Sequence, residues 1–131
     1  AGLVGSKYFV ENSPIPLSQI RFVTNFDLVG TGSDGFTVVN ATEFPKEFET
    51  LTTLNKSHGK FVDIGARGKA ANSDHYWFSE NGVPSFFIYT RGGTPAYHDV
   101  FDRARQLPLD HVDRLRRLVV RFQAELIRSG Y

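Results

Sequence analysis

The sequence predicts an α/β fold, a layered sandwich of sheet and flanking helices, on three observations. Short β-prone runs alternate with segments of helical periodicity along all 131 residues. Residues 21–29 form a nearly continuous apolar run, the signature of a strand buried on both faces. In the last segment Val112, Leu115, Val119, Phe122 and Leu126 recur at three-four spacing with arginines opposite, so that stretch is an amphipathic helix.

The elements follow in order. Residues 1–12 read as a helix whose apolar stripe is Leu3, Val4, Tyr8 and Phe9, ended by Pro14 and Pro16. No capping residue precedes it, so the pattern is expected to begin upstream of Ala1. After the run at 21–29, residues 31–35 form a turn and residues 36–40 a second strand. Phe44, Phe48, Leu51 and Asn55 mark a helix with Pro45 in its first turn, ending near His58 and Gly59. Residues 61–64 are a short strand, and residues 65–72 a Gly- and Ala-rich loop. Ser73 is placed to cap a short helix that runs through Asn81 and stops at Gly82. Residues 83–90 are a strongly apolar strand, followed by a loop into Tyr97 and His98. Asp110 is the expected N-cap of the last helix. No linker interrupts this series, so residues 1–131 are expected to form a single domain.

Composition removes several classes of function. Lysine and arginine number 15 against 14 acids, leaving a formal charge of +1 and no basic excess to drive nucleic-acid binding. The arginines of the last third read as the solvated face of a helix. No run of about 18 apolar residues exists to span a membrane as a helix. Cysteine is absent, so any metal site must use histidine and carboxylate ligands. Arg67 and Lys69 lie in a glycine-containing loop, but without the spacing of a phosphate-binding loop.

Three places carry candidate chemistry, each with an ordinary structural alternative. Asp27 puts a carboxylate near the end of a strand expected to be buried, which demands a cation or metal, or else a cap or salt bridge. Ser73, Asp74 and His75 are consecutive, so they cannot form a triad, and helix capping is the simpler role. His98 follows an apolar strand, with Asp102 four residues on to orient its ring if that turn is helical. His58 and His111 read as surface residues.

Taken in order, five blocks resemble the dinuclear zinc aminopeptidases. Residues 1–9 resemble the stretch that follows the family's Glu-Glu pair. Asn25-Phe26-Asp27-Leu28-Val29-Gly30 is similar to its Asn-Leu-Asp-Met-Val-Gly strand. Ser73-Asp74-His75-Tyr76-Trp77-Phe78 resembles Ser-Asp-His-x-x-Phe, and Asn81-Gly82-Val83-Pro84 resembles Gly-Ile-Pro before a strand. Tyr97-His98 with Asp102 resembles Tyr-His-Thr-x-x-Asp. The chain departs from the pattern at Asp99-Val100, where Thr-Pro is usual, and lacks the Thr that usually follows Asp102.

The resemblance implies a partial zinc-exopeptidase fold with a mixed, mostly parallel sheet flanked by helices. It implies Asp27 as ligand of one zinc and His98 as ligand of the other. Asp74 and Asp102 would support the ligands, and Tyr97 would donate to an oxyanion. Tyr76, Phe87 and Tyr89 would offer an apolar pocket to a peptide substrate, Phe87 and Tyr89 being otherwise ordinary core residues. The remaining ligands and the glutamate base would lie before Ala1, making this chain the inactive C-terminal part of a peptidase catalytic domain. Two ligands for two different ions cannot close a tetrahedral site, so weak or absent zinc binding is expected of the chain alone. Missing strands would leave an apolar edge prone to self-association. The resemblance also points to a secreted or periplasmic rather than cytoplasmic protein. Alternatives are a non-catalytic scaffold relative, or a glutaminyl cyclase or carboxypeptidase on the same fold.

Overall fold

The computed structural model describes residues 2–93, 100 and 103–131. Four strands, β1 (Val23–Phe26), β2 (Phe36–Val39), β3 (Ile64–Ala66) and β4 (Ser85–Thr90), form one sheet in the order β1-β4-β2-β3. β1 runs parallel to β4, β3 runs parallel to β2, and β2 and β4 are antiparallel. The sheet is therefore mixed, with parallel pairing in the majority. The helices are α1 (Val4–Glu11), α2 (Pro45–Leu54), α3 (His75–Glu80) and α4 (Val112–Arg128).

Strand alternation assigns the helices to two layers. Phe86 and Ile88 of β4 join Phe36 and Val38 of β2 in a core with Leu51 of α2 and Leu115, Leu118, Val119, Phe122 and Leu126 of α4. Phe22 knits this layer together, its ring centroid 5.0 Å from Phe86 and 5.7 Å from Phe122, both edge-on. Phe87 faces the other way and meets α3, against which α1 packs. Burying each large side chain in such a core stabilises the fold by roughly 1.5–3 kcal/mol.

Several expectations are corrected. The run at 21–29 is a shorter strand at the edge of the described sheet, and its last residue, Phe26, is 41% exposed. Continuous apolarity misled because one flank of β1 has no strand beside it here. On α1 the stripe of Val4, Tyr8 and Phe9 faces solvent, and Val10 is the buried residue. The strand expected at 61–64 begins only at Ile64, because Asn55 holds both backbone groups of Phe61 and turns that residue into the core. Ser73 does not cap α3: its hydroxyl accepts a hydrogen bond from Asn25 Nδ2 at 2.7 Å. Asp110 does not cap α4 either, because a 3-10 turn over Leu109–His111 precedes the helix and puts His111 at the N-cap without a side-chain bond. His111 is half-buried beside Phe61 rather than on the surface, whereas His58 is exposed as expected.

Candidate functional site

β1 and β4 are parallel; β1 ends at Phe26 beside Ile88, and β4 runs two residues further to Thr90. The carboxyl ends of parallel strands are where open α/β sheets bind ligands. Asn25 is the register partner of Phe87, so Asp27, two residues on, points to the same face as Asn25, Phe87 and Tyr89. There a cleft of about 190 Å³ is lined by Asp27, Leu28, Arg67, Asn72, Phe87 and Tyr89.

The backbone at Asp27 is held from β4. The Asp27 N–H donates to the Ile88 carbonyl at 3.4 Å. Leu28 then takes the left-handed conformation, φ 57°, which is costly for a large side chain, and it is also 49% exposed. Thr90 pins that residue: its N–H and its hydroxyl both donate to the Leu28 carbonyl, at 3.2 and 2.9 Å. The same hydroxyl oxygen receives the Thr31 N–H at 3.3 Å. A buried threonine thus anchors the left-handed residue that follows the candidate ligand.

Opposite Asp27, Arg67 Nη1 donates to the Tyr89 hydroxyl at 3.1 Å. Asp27 itself is exposed, and among the described residues no side chain bonds to or pairs with its carboxylate. Among the described residues the cleft therefore presents an exposed carboxylate on one side and a guanidinium steadied by a phenol on the other, over the ring of Phe87.

His75 forms the back of this arrangement. It is 1% exposed, and its imidazole stacks on Phe87 with centroids 5.4 Å apart. Its Nδ1 has no hydrogen-bond partner among the described residues, and burial pushes its pKa below the usual histidine value, against a hydrogen bond to the Ala70 backbone and the charge of Asp74.

Of the residues singled out in the sequence, Asp27, Phe87 and Tyr89 meet at the cleft. Asp74 is exposed at the start of α3, and Tyr76 packs on Trp77 at 4.9 Å rather than lining the cleft. Tyr97, His98 and Asp102 lie outside the described residues. Leu28, Arg67 and Asn72 were not marked as site residues. No local pattern announces them, because loop residues 67 and 72 reach β1 only through the tertiary fold. Among the described residues no group of three or more histidine, aspartate or glutamate side chains is placed to hold a metal. Asp27 fits a single oxygen-ligand position and nothing more.

The comparisons with known proteins agree with this architecture. The chain belongs to peptidase family M28, whose family model matches residues 1–123. Leupeptin-inactivating enzyme 1 of Streptomyces exfoliatus is 32% identical over 84 residues, 63% of this chain and 18% of that protein. Among solved structures, BSAP, a zinc aminopeptidase from Bacillus subtilis, superimposes with a TM-score of 0.77 at 24% identity, over 95% of this chain and 33% of that one. The LapA aminopeptidase of Legionella pneumophila gives a TM-score of 0.72 at 26% identity, over 95% of this chain and 35% of that one. The chain thus spans about a fifth of the curated relative and about a third of these solved chains.

Proposed function

We propose that this chain contributes one wall of a zinc-dependent aminopeptidase centre that removes N-terminal residues from peptides. The observation that carries the reading is the exposed Asp27 carboxylate, unpaired among the described residues, at the carboxyl end of β1 and facing a cleft in an M28 chain. Asp27 would supply an oxygen ligand to one ion, and by family resemblance His98 would supply a nitrogen ligand to a second. Bound zinc would provide Lewis-acid polarisation of the scissile carbonyl and a nucleophile at neutral pH.

The chain's own residues bind and orient. The face of Phe87 offers an apolar wall to the substrate side chain, and the Arg67 guanidinium and Asn72 amide supply donors for backbone oxygens further along the peptide. Tyr89 limits the freedom of Arg67 through their shared hydrogen bond. By resemblance, Tyr97 would donate to the developing oxyanion. The general base and the remaining ligands would come from sequence outside this chain, so the chain alone would not turn over substrate.

The test uses a polypeptide extended upstream and assayed on aminoacyl-anilides with and without zinc. Expected is zinc-dependent release that falls by at least about a hundredfold in Asp27→Asn and in His98→Ala, at or beyond the roughly 10–100-fold that losing a ligand's supporting partner costs. Turnover indifferent to zinc, or unchanged in Asp27→Asn, refutes the reading. Products from peptides beginning with glutamine distinguish hydrolysis from cyclisation.

A further inference from the structure

A second concavity, sharing no residue with the Asp27 cleft, lies between the end of α2 and the outer face of α4. It measures about 320 Å³ and is lined by Ser57, His58, Arg116, Arg117, Val120 and Arg121. One lip is a π-helical turn, Asn55–Gly59, that continues α2. Such turns interrupt the regular helical ladder and persist where the surroundings hold them.

Here the hold is explicit. The Asn55 side chain donates to the Phe61 carbonyl at 3.0 Å and accepts from the Phe61 N–H at 2.9 Å. The Lys60 N–H donates to the Asn55 carbonyl at 2.6 Å. Gly59 has no room for a side chain, since a Cβ would lie 2.5 Å from Asn55 Oδ1 and 2.8 Å from Leu118 Cδ2. Ser57 Oγ lies 2.9 Å from His58 Nδ1, and the two side chains orient each other.

The opposite wall is an unbalanced set of cations. Arg116 and Arg117 share one carboxylate, Asp113, at 2.8 and 2.7 Å. Arg121 stands one turn beyond Arg117, a repulsive spacing on a helix, and has no carboxylate partner among the described residues. Three guanidiniums thus converge on a concavity with a single counter-charge, while the chain as a whole carries only +1. Guanidinium forks match the oxygens of a phosphate two at a time, and hydroxyl and imidazole groups add single contacts.

We propose that this cleft is an anion site that takes a phosphate group, held by Arg116, Arg117 and Arg121 with Ser57 and His58 as the facing lip. All six lining residues are exposed, so the site is a shallow surface concavity sized for a small anion. The lining contains no aromatic platform of the kind on which nucleic-acid bases stack.

The experiment titrates the chain with inorganic phosphate and with pyrophosphate at fixed ionic strength, following the Ser57, His58 and Val120 amides by NMR. Saturable shifts confined to these residues are expected, with pyrophosphate binding more tightly. Arg121→Gln weakens pyrophosphate binding about fivefold at unchanged melting temperature, as befits one exposed charge-assisted contact. Asp113→Asn, which frees two guanidiniums, strengthens it. Unsaturable shifts that merely follow salt, native affinity in Arg121→Gln, or tighter binding of a short DNA duplex than of pyrophosphate would each overturn the proposal.

Discussion

His75 lies flat against Phe87, their ring planes 24° apart, and so a fully buried imidazole supports the ring that floors the Asp27 cleft. Burial favours its neutral form. The unfolded chain takes up a proton on this residue near the ordinary value of 6.5, whereas the folded chain resists protonation to lower pH. In that window the unfolded state binds more protons, so stability falls as pH falls below about 6.5 and is level above it. The slope contributed by this group is at most about 1.4 kcal/mol per pH unit. Denaturant melts at pH 7.5, 6.5 and 5.5 measure it, and His75→Phe, which keeps the stack and removes the proton site, is expected to flatten the profile. An equal slope in the variant would assign the effect elsewhere.

Thr90 links the end of β4 to the left-handed residue beside the candidate ligand. Replacing it by Val keeps the shape and removes the hydroxyl contacts to Leu28 and Thr31. Thr90→Val is expected to cost roughly 1–3 kcal/mol, the range for stranding buried polar groups. Leu28 should also relax from φ 57°, read as a change in the backbone chemical shifts of residues 27–29. A variant as stable as the native chain, with those shifts unmoved, would show that Thr90 does not hold the strain.

The outer flank of β1 has no strand beside it among the described residues, and Phe26, Leu28 and, on α1, Val4 and Tyr8 are 41–67% exposed. Unpaired backbone beside exposed apolar side chains is a template for association. The chain on its own is expected to grow in mass with concentration by light scattering, and Phe26→Lys is expected to shift it toward monomer. A monodisperse native monomer over a hundredfold range of concentration would refute this.

Much of the fold was legible from periodicity. α4 buries Leu115, Val119, Phe122 and Leu126 as their spacing requires, and α2 begins at Pro45 and presents Leu51 inward, with Asn55 buried in the turn that follows it. These elements declare themselves because one face of a helix is read within a few turns. The exposure of β1 was hidden, because an apolar run looks alike at the centre and at the edge of a sheet, and position is a property of the strands beside it. Ser73 failed as a cap for a similar reason: its partner, Asn25, lies 48 residues away. The site was half legible. Resemblance marked Asp27, but Arg67 and Asn72 reach the cleft only by tertiary folding, and His75 was read only as part of a capping Ser-Asp-His run because nothing local shows that its ring would be enclosed.

The order of the strands has a consequence for synthesis. β4 separates β1 from β2, yet among the described strands it comes last in sequence. Among the described strands, β1 has no neighbour and β2 has only the three-residue β3 until residues 85–90 are made. Within the described sheet β1 and β2 therefore wait for β4, and their pairings with it span about 50 to 60 residues. Such non-local closure is slow, so the late arrival of β4 sets the pace at which the described sheet completes.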